Sequence, residues 1–216
     1  MLKAVIFDLD GTLTDSDRVH FQVFREIFAQ RGIDLDRALY RKKISGRQNA
    51  AILADFLPDL SSAEVEAFSA EKEATFRTAA QGSLTPLPGL SDLLAQLKRL
   101  ELPVAVVTNA PPKNADFMLR ELGLSDTFSP VVIGDYLPRG KPDPLPYQTA
   151  LDQLSITAEE AIAFEDSAAG IRSAVGAGIK TIGVMTTHSK EALMAVGASG
   201  VIADFTDDYV QRLIGS

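Results

Sequence analysis

Two pairs of closely spaced carboxylates stand where short apolar segments end. Asp8 and Asp10 follow one such segment, and Glu165 and Asp166 follow another. Like charges at the end of a buried strand repel one another unless a cation lies between them, so packing alone gives no reason for them. Oxygen ligands without thiolate or imidazole favour Mg²⁺ over zinc. The two pairs therefore predict a shared magnesium site.

Local backbone roles account for only part of this acidic pattern. Asp10 could cap a helix or form a turn with Gly11, but such a role explains one aspartate rather than two. A helix-loop-helix calcium site fits poorly, because Leu13 stands where that loop requires glycine. Asp166 or Ser167 could also cap the helix that follows. Capping does not compete with metal binding, so the sequence leaves both roles open.

A second group of residues has the types that bind phosphate. Thr108 and Asn109 end another apolar segment, where a hydroxyl and backbone N–H groups can face an anion, although Thr-Asn is also ordinary turn chemistry. Lys141 lies between Gly140 and Pro142, which indicates a defined loop rather than a free arm. A lone lysine is usually solvated, so both pairing with an anionic site and plain exposure stay open for Lys141.

Alternating strands and helices must position these residues. Short apolar segments rich in β-branched residues predict buried strands, and amphipathic segments of helical length lie between most of them. The expected strands are residues 4–7, 104–107, 131–133, 161–164, 181–184 and 201–202, and the expected helices are residues 90–100, 113–122, 145–154, 168–177 and 190–196. This alternation predicts an α/β fold, a doubly wound, Rossmann-like parallel sheet with helices on both faces.

The segment of residues 16–83 interrupts the alternation. It contains no convincing strand, and aromatic residues such as Phe21 and Phe28 recur at helical spacing. We therefore expect a small helical domain of residues 16–83, inserted into an α/β core of residues 1–15 and 84–216. Extra helices that pack flat on the core are the alternative.

The composition excludes several classes of protein. The 216 residues include 21 Lys and Arg against 29 Asp and Glu, a formal net charge of −8, so no general nucleic-acid partner is expected. No apolar run approaches the roughly 20 residues that cross a bilayer, so no membrane partner is expected either. The first apolar segment is too short for a signal peptide. Because the chain has no cysteine, disulfides, thiolate metal sites and cysteine nucleophiles are ruled out, and the cytoplasm is the expected location.

Taken together, these motifs resemble the haloacid dehalogenase superfamily. Its phosphatase branch has Asp-x-Asp-Gly-Thr, then a strand-end Thr or Ser, then a Lys and finally an acidic pair. The same four motifs occur here in that order, at Asp8, Thr108, Lys141 and Glu165. Residues 16–83 resemble the helical cap that the family inserts after its first motif. True dehalogenases lack a carboxylate two residues after the nucleophile, so the resemblance points to a phosphatase.

The resemblance implies a role for each motif residue. Asp8 would attack a phosphate monoester to form an aspartyl-phosphate, and Asp10 would protonate the leaving alcohol and then activate the hydrolytic water. Thr108, the N–H of Asn109 and Lys141 would hold the phosphoryl oxygens. The implied ligands of Mg²⁺ are a carboxylate oxygen of Asp8, the backbone carbonyl of Asp10, Asp166 and, through water or as an outer ligand, Glu165.

Part of the inserted segment resembles the cap loop of the branch that contains sugar-phosphate phosphatases and β-phosphoglucomutase. In that loop Gly46 would allow close backbone approach, while Lys43, Arg47 and Asn49 would bind hydroxyls or a second anion. His20 matches a histidine of the mutase cap hinge. The alternatives are a solvated basic turn for the loop and a packing role for His20.

The expected reaction is Mg²⁺-dependent hydrolysis of a small phosphorylated metabolite, with sugar phosphates first and phosphoglycolate next, by a monomer or weak homodimer. A mutase-like cap would offer a lysine and an arginine where Ser45 and Asn49 stand, which favours a hydrolase over a β-phosphoglucomutase-type mutase. A phosphoacceptor signalling domain shares the sheet and the acidic cluster, but it has neither the inserted segment nor Asp10. A non-catalytic binding protein is disfavoured because no motif position is missing.

Overall fold

The computed structural model of the chain describes residues 1–45 and 47–215. The chain divides into two compact units. One comprises Met1–Asp15 with Thr85–Ser216, and the other comprises Ser16–Leu84. The first unit combines a sheet with helices, and the described part of the second is helical. No helix among the described residues is both long and apolar enough to cross a membrane.

Six parallel strands form the sheet of the first unit. They are β1 (Ala4–Phe7), β2 (Val104–Thr108), β3 (Val131–Ile133), β4 (Ala161–Glu165), β5 (Lys180–Val184) and β6 (Gly200–Ile202). Their order across the sheet is β3-β2-β1-β4-β5-β6, and every neighbouring pair is parallel. The strand order reverses beside β1, as in doubly wound folds. The predicted α/β fold with a parallel sheet is confirmed.

The described residues also form ten α-helices. They are α1 (Asp17–Ala29), α2 (Arg37–Lys43), α3 (Asn49–Phe56), α4 (Ser62–Ala80), α5 (Leu90–Arg99), α6 (Pro112–Glu121), α7 (Leu145–Leu154), α8 (Ala168–Gly176), α9 (Lys190–Ala195) and α10 (Asp208–Ile214). Several bounds have local causes. Pro112 begins α6 because its fixed φ suits a first helical turn, and the Ser167 hydroxyl begins α8 by accepting from the N–H of Gly170.

Apolar residues cover both faces of the sheet, because parallel strands are buried on both sides. On one face, Ala105 and Ala163 pack in a cluster with Tyr147 of α7 and Ala174 of α8. On the other face, aromatic rings pack against Phe7. Its ring centroid lies 5.4 Å from that of Phe164, which stacks on it, and 5.9 Å from those of Phe128 and Phe205, which meet it edge to face. These two layers fix β1 and β4 side by side in the centre of the fold.

Helices α1 to α4 belong to the second unit. Phenylalanines of α1 form its core together with Phe68 of α4 and apolar residues of α2 and α3. Ser61 and Glu64 form a capping box that begins α4. No strand occurs among its described residues, and the unit's bounds lie close to those of the predicted insertion. That this unit acts as a cap stays a prediction.

Candidate active site

The carboxyl ends of β1 and β4 bring three carboxylates together. The N–H of Asp8 donates to the carbonyl of Phe164 at 3.0 Å, so the pairing of the two strands continues to the first aspartate. Glu165 ends β4, and Asp166 follows it. One carboxylate oxygen from each of Asp8, Glu165 and Asp166 lies within 4.8 Å of the other two, and all three residues are buried.

Lys141 extends into this cluster as its buried cation. Its Nζ lies 2.6 Å from Asp8 Oδ1, 2.6 Å from Glu165 Oε1 and 2.7 Å from the carbonyl oxygen of Val107. Three acceptors match the three N–H donors of an ammonium group. The sequence left two interpretations of Lys141 open. The structure shows that Lys141 pairs with an anionic cluster and is not exposed.

The side chain of Asn109 holds the loop that carries Lys141. Its Oδ1 accepts from the backbone N–H of Lys141 at 3.0 Å, and its Nδ2 donates to the carbonyl oxygen of Lys141 at 3.1 Å. Gly134 allows this close approach, because a Cβ there would lie 2.5 Å from Asn109 Oδ1. The structure thus shows that the Asn109 side chain positions the Lys141 loop. Phosphate binding by the backbone N–H of Asn109, which the sequence predicted, stays a prediction.

Thr108 is buried at the end of β2, and its hydroxyl oxygen accepts from the N–H of Ala110 at 2.9 Å. This contact is the turn chemistry that the sequence also allowed. Thr108 lies at the carboxyl edge of the sheet, next to β1, which agrees with phosphate binding. That role of Thr108 stays a prediction.

The turn after β1 carries Asp10, which is half-buried. Gly11 has a φ of +79°, and its N–H donates to the carbonyl of Thr14 at 2.8 Å. Glycine is required here for two reasons. The left-handed backbone conformation is strained for any residue with a side chain, and a Cβ would lie 2.1 Å from Asp166 Oδ2. The sharp turn expected at Gly11 is present. Asp10 lies outside the three-carboxylate cluster, so its acid/base role and its carbonyl ligand role stay predictions.

Burial and like charge control the electrostatics of the site. Burial and, to a smaller extent, the charge of Glu165 raise the pKa of Asp8 to about 7, although Lys141 opposes both effects. Burial lowers the pKa of Lys141, but the charges of Asp8 and Glu165 outweigh it and hold that pKa above its usual range. Among the described residues, Lys141 is in hydrogen-bond contact with two of the three buried carboxylates, Asp8 and Glu165, and the three carboxylates outnumber it. This excess of negative charge and the all-oxygen donor set fit a hard divalent cation such as Mg²⁺.

Sequence reasoning missed Tyr147, a buried residue of α7. Its hydroxyl donates to Glu165 Oε1 at 2.9 Å, and the ring centroid lies 5.3 Å from Lys141 Nζ. Burial raises the pKa of Tyr147 well above its usual value, and the charge of Glu165 adds to this, so the hydroxyl keeps its proton. Gly170 also packs against Glu165, since a Cβ at this position would lie 1.9 Å from the carboxylate. Glu165 is thus held in one orientation.

Two of the predicted substrate residues, His20 and Asn49, contact the same buried ion pair in the second unit. His20 Nδ1 lies 3.0 Å from Lys72 Nζ, and the His20 ring stacks on Phe76 at 3.9 Å. Lys72 pairs with Glu73 at 2.8 Å, and Asn49 Nδ2 donates to Glu73 Oε1 at 2.6 Å. Burial raises the pKa of Glu73, but Lys72 and His20 more than offset it, so this carboxylate is ionised.

The sequence did not single out the pair of Lys72 and Glu73, because consecutive charges on an amphipathic helix usually lie on its solvated face. Here both side chains are buried. Helical periodicity gives the direction in which a residue points, but only tertiary packing decides whether that direction is covered.

Two further predicted residues meet on the surface of the second unit. Lys43 Nζ and Arg47 Nη1 lie 3.2 and 2.9 Å from the same Asp55 oxygen, and Arg47 also donates to the carbonyls of Lys43 and Ala51. These contacts join the end of α2 to α3. Gly46, the remaining member of the predicted loop, lies outside the described residues. Substrate roles for these residues stay predictions.

Comparisons with known proteins agree with the motifs. Residues 2–178 match the sequence profile of a hydrolase family described as haloacid dehalogenase-like hydrolase. The chain is 33% identical to validoxylamine A 7'-phosphate phosphatase of Streptomyces hygroscopicus over 96% of each chain. It is 31% identical to phosphorylated carbohydrates phosphatase of Thermotoga maritima over 93% of this chain and 94% of that protein. The crystal structure of CbbY from Rhodobacter sphaeroides in complex with phosphate superposes with a TM-score of 0.84, at 30% identity over 96% of each chain.

Proposed function

Because the chain belongs to the haloacid dehalogenase-like hydrolases, we propose that it is a Mg²⁺-dependent phosphatase that hydrolyses small sugar phosphates through an aspartyl-phosphate on Asp8. One observation carries the proposal: Asp8 is buried, 2.6 Å from the ammonium group of Lys141 and in one cluster with the carboxylates of Glu165 and Asp166. The names of two relatives, one of them a phosphatase of phosphorylated carbohydrates, support the reaction and the substrate class.

In the first step, a carboxylate oxygen of Asp8 attacks the phosphorus of the monoester. The bond between phosphorus and the ester oxygen breaks, and the carboxylic acid of Asp10 gives its proton to the leaving alkoxide. Asp8 must be ionised for this attack. The Lys141 ammonium lowers the pKa of Asp8 against the effect of burial, and so favours the reactive form at neutral pH.

In the second step, water attacks the phosphorus of the aspartyl-phosphate. The Asp10 carboxylate takes the proton of this water, the bond between phosphorus and Asp8 breaks, and inorganic phosphate leaves. Both residues return to their starting states, so no further reactant is needed. The half-buried position of Asp10, next to buried Asp8, is compatible with exchanging protons with an alcohol and then with water.

The residues that would hold Mg²⁺ are Asp8, Asp166 and the backbone carbonyl of Asp10, with Glu165 through water or as an outer ligand, and the three carboxylates form the buried cluster. When bound, the ion neutralises charge that develops on the phosphoryl oxygens. Thr108, the N–H of Asn109 and Lys141 would hold the same oxygens from the protein side. Since Asn109 and Gly134 fix the loop of Lys141, these donors are prepositioned rather than recruited by the substrate.

In this proposal, residues of the second unit recognise the sugar part of the substrate. Asn49 and His20 both contact the buried pair of Lys72 and Glu73, so their polar atoms are held in fixed positions. Lys43 and Arg47 both contact Asp55 of α3 rather than extending as free arms. A preorganised polar surface of this kind suits the recognition of hydroxyl groups.

A phosphatase assay on a metabolite panel tests the proposal. With Mg²⁺ we expect release of inorganic phosphate from several sugar phosphates, and removal of the metal by a chelator should lower the rate by a factor on the order of 10³, because metal ions supply several kcal/mol of transition-state stabilisation. Added Mg²⁺ should restore the rate. Phosphoglycolate serves as the phosphate ester that lacks a sugar.

The same assay separates the competing functions. Glucose 1-phosphate is incubated with and without glucose 1,6-bisphosphate, and formation of glucose 6-phosphate is followed. Isomerisation without net phosphate release would establish a mutase instead. A stable phosphorylated protein without turnover would point to a phosphoacceptor domain.

A further inference from the structure

The loop that follows β5 contacts two of the motif segments through neighbouring threonines. Thr186 Oγ1 donates to the carbonyl oxygen of Gly11 at 2.5 Å, and Thr187 Oγ1 donates to Asp166 Oδ2 at 2.5 Å. Both threonines are half-buried. This loop therefore joins the turn after β1 to the acidic end of β4, although none of the four motifs includes it.

The Thr187 hydroxyl has two acceptors on Asp166, with Oδ2 at 2.5 Å and the carbonyl oxygen at 3.0 Å. A carboxylate oxygen only accepts, so the Thr187 hydroxyl donates its proton to Asp166. His188 Nδ1 lies 2.9 Å from Thr187 Oγ1 and 3.2 Å from the carbonyl oxygen of Asp166. Whether Nδ1 donates or accepts in these two contacts depends on the tautomer of His188. The tautomer with its proton on Nδ1 would donate to Thr187 Oγ1 and leave the hydroxyl proton for Asp166.

Asp166 Oδ2 is confined from a second side as well. A Cβ on Gly11 would lie 2.1 Å from this oxygen, so it packs closely over the glycine. A carboxylate is planar, and fixing one of its oxygens by a hydrogen bond and by packing also fixes the direction of the other. Asp166 therefore has its orientation set before any cation arrives.

We propose that the Thr187 hydroxyl is a positioning group that orients Asp166 as a ligand of the divalent cation. This inference rests on the proposed function, in which Asp166 holds that cation. Groups that hydrogen-bond to metal ligands typically change metal affinity about 10–100-fold when they are removed. Thr187 supplies its hydrogen bond to a ligand carboxylate without belonging to the motif that contains the ligand.

Direct titration of the metal-free protein with Mg²⁺, followed by calorimetry, tests the role of Thr187. Thr187→Val keeps the shape of the side chain and removes the donor, so the Kd for Mg²⁺ should rise about 10–100-fold. Thr187→Ser restores the hydroxyl and should bind Mg²⁺ nearly as tightly as the wild type. With a substrate present, the valine variant should need more Mg²⁺ for half-maximal turnover and should recover most of its rate at saturating Mg²⁺.

Thr181→Val is the matched control, because Thr181 lies at the opposite end of β5. Its buried hydroxyl donates to the carbonyl oxygen of Ile179 at 3.0 Å, so the variant loses a comparable hydrogen bond. It should lose some stability and keep the wild-type Kd for Mg²⁺. Equal Kd values for Thr187→Val and the wild type would overturn the role of Thr187, as would equal weakening in both valine variants. A wild-type protein that binds no Mg²⁺ would instead refute the metal dependence itself.

Discussion

Replacing Lys141 with methionine should destabilise the folded protein by about 3–5 kcal/mol and remove its activity, because a buried ion pair that loses one partner leaves an uncompensated charge. The Nζ lies 2.6 Å from both Asp8 and Glu165, and all three residues are buried. Methionine retains much of the side-chain length but supplies no charge. Urea unfolding of the metal-free protein measures the loss.

The destabilisation should depend on pH with a definite sign. The pKa of Asp8, raised to about 7, exceeds its ordinary value of 3.8, so the folded state binds this proton more tightly than the unfolded state. The contribution of Asp8 to stability is then greatest at low pH and falls as the pH rises from about 4 to 7. Without the Lys141 cation the pKa of Asp8 rises further, so Lys141→Met should cost more stability at pH 8 than at pH 5.

Lys3→Met is the control for the loss of a lysine ion pair. Lys3 contacts Glu160 at 2.7 Å, but its side chain is 56% exposed. Exposed pairs contribute little to stability because water screens them, so this variant should unfold at nearly the wild-type urea concentration. If Lys141→Met were no less stable than Lys3→Met, or equally affected at both pH values, the electrostatic account of the cluster would be wrong.

Asp8→Asn should lower phosphate release by a factor on the order of 10⁴ or more, since losing a catalytic nucleophile removes the covalent route altogether. Asparagine has the same shape, and its amide oxygen can still accept from Lys141. The variant also loses the repulsion between Asp8 and Glu165. We therefore expect it to fold at least as stably as the wild type, as measured by urea unfolding alongside the assay.

Asp207→Asn controls for the general effect of removing an aspartate. Asp207 begins α10, where its side chain accepts from the N–H of Tyr209 at 2.8 Å, and asparagine caps a helix equally well. This variant should keep full turnover. Phosphate release by Asp8→Asn at a comparable rate would refute Asp8 as the nucleophile.

Much of the fold could be predicted because parallel strands are buried on both faces and so appear as continuous apolar runs. Residues 4–7 and 131–133 and the helix of residues 145–154 have the predicted bounds. Strands β2 and β4 each continue one residue further than predicted, to Thr108 and Glu165. Polar residues at a strand end are ambiguous from sequence, since backbone pairing can continue after the apolar run has stopped.

The core of the site could be predicted because its residues follow strands whose carboxyl ends share one edge. Tyr147 could not, since a tyrosine on an amphipathic helix has the pattern of a packing residue, and only the fold shows Glu165 beside its hydroxyl. Thr187 and His188 likewise have the pattern of an ordinary loop. Their contacts with Asp166 join segments about 20 residues apart, which no local spacing rule describes.

The most direct test is to locate the phosphoryl group on the protein. Asp10→Asn is mixed with an aryl phosphate, whose leaving group needs no proton, and the reaction is stopped in acid and analysed by mass spectrometry of the peptides. Attack by Asp8 should proceed while the hydrolytic water lacks its base, so a single phosphoryl group should accumulate on Asp8. Phosphate release by the wild type with no phosphorylated peptide in either protein, or a phosphoryl group on another residue, would contradict the mechanism.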